Sequence, residues 1–132
     1  MSAIPYGLMC GAVFAISAQG RCHACKGETP LFAMMALPPF TFADPDEEAM
    51  DDGGFMLRNV DGMSERVIAK LDRSAQRLWR RDFSFTAGES YWMNHCERCD
   101  AKQGDHHVQG PDGPFWPYTP AQMAAIKAER VG

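Results

Sequence analysis

Nowhere in this 132-residue chain do eighteen apolar residues follow one another, so no segment reads as a membrane-spanning helix. A basic excess is missing too. Thirteen Lys and Arg stand against 17 Asp and Glu, a formal charge of −4, so whole-molecule attraction to nucleic acid or anionic lipid is not the default. Any such contact needs a local basic patch. The sequence also lacks a phosphate-cradling glycine loop, an HExxH helix and a Ser-His-Asp order, and no small-molecule substrate is evident. The apolar stretch Ala3 to Ala18 has no Lys or Arg before it and is interrupted by Pro5, Gly7 and Gly11. That argues against a secretory leader and for a cytoplasmic location, where cysteines serve metal sites or catalysis rather than disulfides.

What is present suffices for one packed core. A hydrophobic fraction of 45% with 11% aromatics is too rich for disorder, and the length suits a single domain over residues 1–132. Five cysteines cannot all pair within one chain. Four of them fall into two pairs of identical spacing, Cys22-x-x-Cys25 and Cys96-x-x-Cys99. Two residues between thiolates let the backbone turn so that both sulfurs face one ion, and two such turns supply a tetrahedral set. Val13 to Ser17 and Leu31 to Leu37, the latter ended by Pro38-Pro39, read as a hairpin with Cys22 to Gly27 at its tip. Ser90 to Cys96 reads as a strand running into the second pair, with Gly104 to Val108 as its return.

A closed site of four cysteines leaves no open coordination position, so its metal contributes folding free energy rather than Lewis-acid chemistry. Iron takes the same four sulfurs and is the chemical rival of zinc. Cys10, without a partner at knuckle spacing, reads as a small buried hydrophobe. His23 and His95 adjoin ligand positions, where they can hydrogen-bond to the site or replace a cysteine in it. His106 and His107 form the only cluster resembling a second site, and in a strand only one of two neighbours faces a given pocket.

With these two pairs the chain resembles the zinc-ribbon and rubredoxin-like group, in which two knuckle-tipped hairpins clasp one metal. The resemblance covers Val13 to Leu37 and Ser90 to Val108, about a third of the chain. It implies one Zn²⁺ held by Cys22, Cys25, Cys96 and Cys99, or iron in the rubredoxin manner. The 70 residues between Cys25 and Cys96 depart from ordinary ribbon spacing. Tyr91 to Asp105 also looks like the cysteine-pair segment of small bacterial and phage zinc-binding proteins, and phage proteins that block host machinery are one setting that fits.

Between the pairs lie two charged segments. Asp44, Asp46, Glu47, Glu48, Asp51 and Asp52 precede Gly53-Gly54 and make 44–54 an acidic, solvated loop. Phe55 to Asn59 reads as a short edge strand. From about Glu65 to Arg81, with Ser64 as N-cap, helical spacing puts Val67, Ile68, Leu71, Ala75, Leu78 and Trp79 on one side. Arg66, Lys70, Arg73, Arg77, Arg80 and Arg81 share the other. Ser64 to Asp82 holds six bases and three acids, so the remainder of the chain carries −7. Such a face suits a phosphate backbone or an acidic protein surface, or else it is a solvated helix face neutralised by the acidic loop. Thr119-Pro120-Ala121-Gln122 opens a last helix that runs to about Arg130. Phe115, Trp116 and Tyr118, in a Pro- and Gly-rich connector, either stack ligands or pack down on the core.

The expected architecture is therefore an α+β domain: a zinc-ribbon-like antiparallel β core, one long inserted amphipathic helix and a short C-terminal helix. The expected function is a small non-enzymatic zinc-binding adaptor whose partner, protein or nucleic acid, docks on the arginine face. The alternative is a small metalloenzyme or redox carrier using the four-cysteine site or His106 and His107.

Overall fold

The computed structural model describes residues 2–3, 8–42, 55–57, 60, 65–111 and 113–131. Strand β1 (Ser2–Ala3) pairs with the start of β2 (Leu8–Arg21), which pairs along its whole length with β3 (Glu28–Phe42). The short β4 (Phe55–Leu57) lies along β3, with Leu57 opposite Met34. The near-continuous apolar runs of β2 and β3 follow from burial on both faces of this sheet. Val13, Phe32, Met34 and Ala36 enter one core, while Ile16, Leu31 and Ala33 enter the other. Pro38-Pro39 does not end β3: the register shifts between Cys10 and Ala12, so both prolines stand opposite Gly11 in a bulge that spares them a ladder hydrogen bond.

The long helix expected over 65–81 is not formed, and its place is taken by three shorter elements. Helix α1 (Glu65–Lys70) stops before Leu71, α2 (Arg73–Leu78) follows, and β5 (Trp79–Ser84) is extended. The break is a second N-cap. Asp72 adopts an extended conformation and accepts a 2.8 Å hydrogen bond from the Ala75 N–H, and the Gln76 amide donates to the Leu71 carbonyl at 2.8 Å. Beyond Leu78 the backbone joins a ladder with β6 (Glu89–His95), from Trp79 opposite Asn94 to Ser84 opposite Glu89. The inward positions survive the change of backbone: Leu71, Ala75, Leu78 and Trp79 are all buried in the first core. Arg80 and Arg81, however, now point to opposite faces of a strand.

The second knuckle is followed by β7 (Lys102–Gln103), which pairs with Asn94 and His95 of β6. Gly104 to Val108 is therefore not the return strand. It forms a single helical turn, α3 (Asp105–Val108). The helix at Thr119 starts as its capping box requires, with Thr119 Oγ1 accepting from the Gln122 N–H and Gln122 Oε1 accepting from the Thr119 N–H. It ends early: α4 covers Pro120–Ala124, and Lys127–Arg130 becomes β8, paired with β2. The expected α+β class is thus corrected to a mostly antiparallel β structure, a five-stranded sheet and a three-stranded one. Among the described residues no helix exceeds six residues, and none is long and apolar enough to cross a membrane. The acidic loop 44–54, Ser64 and the side chains of Cys10 and His106 lie outside what is described.

The two sheets are joined by hydrogen bonds as well as by the metal-binding tips. The Trp92 N–H donates to the Val60 carbonyl at 2.7 Å. The fully buried Asn94 amide accepts from the Phe32 N–H at 2.7 Å and donates to the Phe32 carbonyl at 2.8 Å. Because β4 ends at Leu57, β3 is open at Phe32, and the Asn94 side chain continues the ladder there. Phe115 enters the second core, whereas Trp116 and Tyr118 stay exposed, so the aromatic connector divides between the two expected roles.

Candidate metal centre

Each cysteine pair sits on a tight turn at the end of a hairpin, and the two turns repeat one backbone geometry. In the first, the Cys22 N–H donates to the Gly27 carbonyl and the Lys26 N–H to the Cys22 carbonyl. In the second, Cys96 and Ala101 are joined likewise, and the Asp100 N–H donates to the Cys96 carbonyl. The fifth residue of each turn lies in the left-handed region, Lys26 at φ 64° and Asp100 at φ 60°. Such a residue costs about 1 kcal/mol or more, which the paired turn hydrogen bonds hold in place. Backbone N–H groups inside the turns aim at sulfur: those of Ala24 and Cys25 at Cys22 Sγ, that of Gly27 at Cys25 Sγ, that of Arg98 at Cys96 Sγ.

The tips meet. Cys22 Sγ lies 3.6 Å from Cys99 Sγ, Cys25 Sγ lies 3.7 Å from Cys96 Sγ, and all four sulfurs fall within 4.8 Å of one another. These are free thiols rather than disulfides. A tetrahedron with metal–sulfur bonds near 2.3 Å has edges of about 3.8 Å, so the spacing fits one four-coordinate ion. The chain thus carries a cluster of four cysteines able to hold a metal, with Cys22 and Cys96 buried and Cys25 and Cys99 exposed.

The thiols do not ionise alike. Burial pushes Cys22 up, but the N–H donors of Cys25 and Ala24 and the neighbouring thiols outweigh it and bring it down to about 6. At Cys99 the Ala101 N–H acts downward, but desolvation and the three facing thiols raise it to about 11. One thiolate therefore forms readily and the next resists, as expected when negative charges gather before a cation arrives.

A residue outside the sequence-based reading holds the cluster together. Gln103, buried on β7, donates to Cys22 Sγ at 3.3 Å and to the Ala101 carbonyl at 2.8 Å, and accepts from the His23 N–H at 3.1 Å. One side chain thus touches both knuckles. We expect Gln103→Ala to weaken metal affinity by about tenfold without abolishing the site, as measured by chelator competition. Its only sequence signal was its place four residues after Cys99 at the foot of the second hairpin. The histidines next to the ligands act elsewhere. His23 Nε2 pairs with the Lys102 carbonyl at 2.6 Å, and His95 contacts Asp82 Oδ2 at 2.7 Å and the carbonyls of Met93 and Leu78. The His95 contact leads the causes that hold Asp82 below its ordinary value of 3.8. Its contribution to stability is present above that value and is lost as pH falls through the depressed one.

The arginine face is dispersed. Arg77 pairs with Glu97 at 3.4 Å and Arg80 with Asp100 at 2.8 Å, so two of its members brace the second knuckle. The Arg80 hydrogen bond leads the causes that hold the Asp100 carboxyl below its usual range. Arg66, Lys70 and Arg73 are exposed on α1 and α2 and make no ion pair among the described residues, while Arg81 is exposed on β5. His107 is exposed and stacks on His23. No family model matches the chain, and comparison with curated proteins and with solved structures returned no match.

Proposed function

We propose that this chain is a small non-enzymatic zinc-binding adaptor, in which one structural Zn²⁺ on Cys22, Cys25, Cys96 and Cys99 clamps two sheets and the exposed bases of α1 and α2 receive a negatively charged partner. The observation that carries the reading is the convergence of four sulfurs at tetrahedral spacing. With all positions filled by thiolate, a bound ion has no vacancy for substrate or water, so its role is mechanical. Elemental analysis returning one zinc per colourless chain supports this. The exposure of Cys25 and Cys99 favours one competing reading, an iron-bearing redox carrier, which a coloured protein with stoichiometric iron would establish.

Arg66, Lys70 and Arg73 are the bases left for a partner, whether nucleic-acid phosphates or an acidic protein face, and a phage-type inhibitor of host machinery would use such a face. Retention on heparin, a polyanion that an acidic protein binds only through a local patch, tests it. Arg66→Glu combined with Arg73→Glu should lower the eluting salt concentration and leave metal content unchanged. Elution at the same salt would sink the docking face.

A further inference from the structure

A cleft of about 460 Å³ opens between the β5–β6 turn and α3. Its size suits a small ligand. Phe83 and Phe85 form one wall, in edge-to-face contact at 5.2 Å, and both are exposed, Phe85 to 86%. In the same lining His23 and His107 stack as near-parallel rings with centroids 4.8 Å apart. Tyr91 and Met93, both buried, line it as well, and the Tyr91 oxygen accepts from the Asp105 N–H at 3.2 Å. The Lys102 ammonium sits 5.1 Å above the Phe85 ring. It donates to the Phe83 carbonyl at 2.7 Å and faces Asp82 at 3.6 Å, and Lys102 itself lines the cleft.

We propose that this cleft binds a nucleotide unit, its flat base stacked among Phe85 and the His23–His107 pair and its phosphate held by Lys102. Three features select that chemistry over a purely apolar guest. Aromatic rings from the β5–β6 turn, the first knuckle and α3 line one cleft, and every base can stack on such rings. A cation stands beside the most exposed ring, matching a flat group joined to an anion. Polar groups line the same space, with the Ser84 and Thr86 hydroxyls beside it for a base edge. A ring as exposed as Phe85 also gains from being covered. This site is separate from the arginine face, and it uses the first knuckle, through His23, as a wall.

The unit can come from a free nucleotide or from a single strand. Titration of the zinc-loaded full chain against UMP, AMP and a short fluorescein-labelled oligothymidine separates the two. Saturable binding of mononucleotides and oligomer assigns the free nucleotide, and binding of the oligomer alone assigns the strand. In either case Phe85→Ala should weaken binding by about tenfold or more. Zinc content and melting temperature should not change, since that side chain is solvent-exposed. Lys102→Met should weaken binding and flatten its salt dependence. No saturable binding of any probe, or binding that Phe85→Ala leaves intact, overturns the proposal. So does binding lost with Arg66→Glu and Arg73→Glu but kept in Phe85→Ala, which would place the ligand on the helical face.

Discussion

Chelating the metal, or replacing the buried Cys96 by Ser, should abolish cooperative thermal unfolding and near-ultraviolet circular dichroism, and re-addition of zinc to the chelated chain should restore both. The reason is the ratio of two free energies. A structural zinc on four thiolates contributes about 10–16 kcal/mol at neutral pH, while a domain of ordinary size is stable by about 5–15 kcal/mol in all. The tips to be held together are 77 residues apart at Cys22 and Cys99. When the tips come together the four thiols stand within 4.8 Å of one another, where Cys22 ionises readily and Cys99 resists. Protons and metal compete for the sulfurs, so affinity should fall as pH falls, most steeply while Cys99, raised to about 11, must lose its proton to bind. A chelated protein that melts at the same temperature as the loaded one would refute the clamp.

Asn94→Ala should cost about 3 kcal/mol and lower the melting temperature by about 10 °C, with zinc content unchanged. Asn94 is fully buried, and its amide satisfies both the N–H and the carbonyl of Phe32 beyond the end of β4. Truncation leaves both backbone groups buried without partners and opens a void between the sheets. Asn94→Asp restores the acceptor but not the donor and places a carboxylate in the core, so it should be no better than Ala at neutral pH. Calorimetry of the two variants beside Gln103→Ala distinguishes a defect in sheet docking from one in metal affinity. An Asn94→Ala protein that melts within a degree or two of the parent would show that the metal and the apolar cores alone hold the sheets.

Much of the site was legible in one dimension because its chemistry is local. Two thiols separated by two residues must turn toward a common point, and the hairpin that carries Cys22 to Cys25 is seen where its flanking strands were expected, whereas the strand after Cys96 to Cys99 returns at Lys102–Gln103 and not at Gly104 to Val108. The capping box at Thr119 and the edge strand at Phe55 were legible for the same reason. The stretch 65–81 was not. Its apolar spacing satisfies a helix as far as Leu78, but Asp72 can cap a new helix as well as sit within an old one, and Trp79 to Ser84 has a ladder waiting on β6. Periodicity reports which side chains turn inward, and Leu71, Ala75, Leu78 and Trp79 are buried while Val67 and Ile68 are only partly covered, but it does not report which hydrogen-bond partner the backbone takes.

The same limit explains Lys127 to Arg130, helical by continuation and a strand in fact, because β2 offers an open edge opposite Phe14 to Ser17. Gln103 had no signal beyond its place after Cys99, and the cleft beside His23 had none, since Cys22, His23 and the residues that line the cleft come from distant segments of the chain. Sequence alone determined what short spacing enforces: two sulfur-bearing turns and the inward residues Leu71, Ala75, Leu78 and Trp79. Tertiary structure decided what depends on encounters between distant segments. It brought the turns to tetrahedral distance, turned the end of an expected helix into a strand, committed two arginines to the second knuckle, and set exposed phenylalanines and a pair of imidazoles around one cleft.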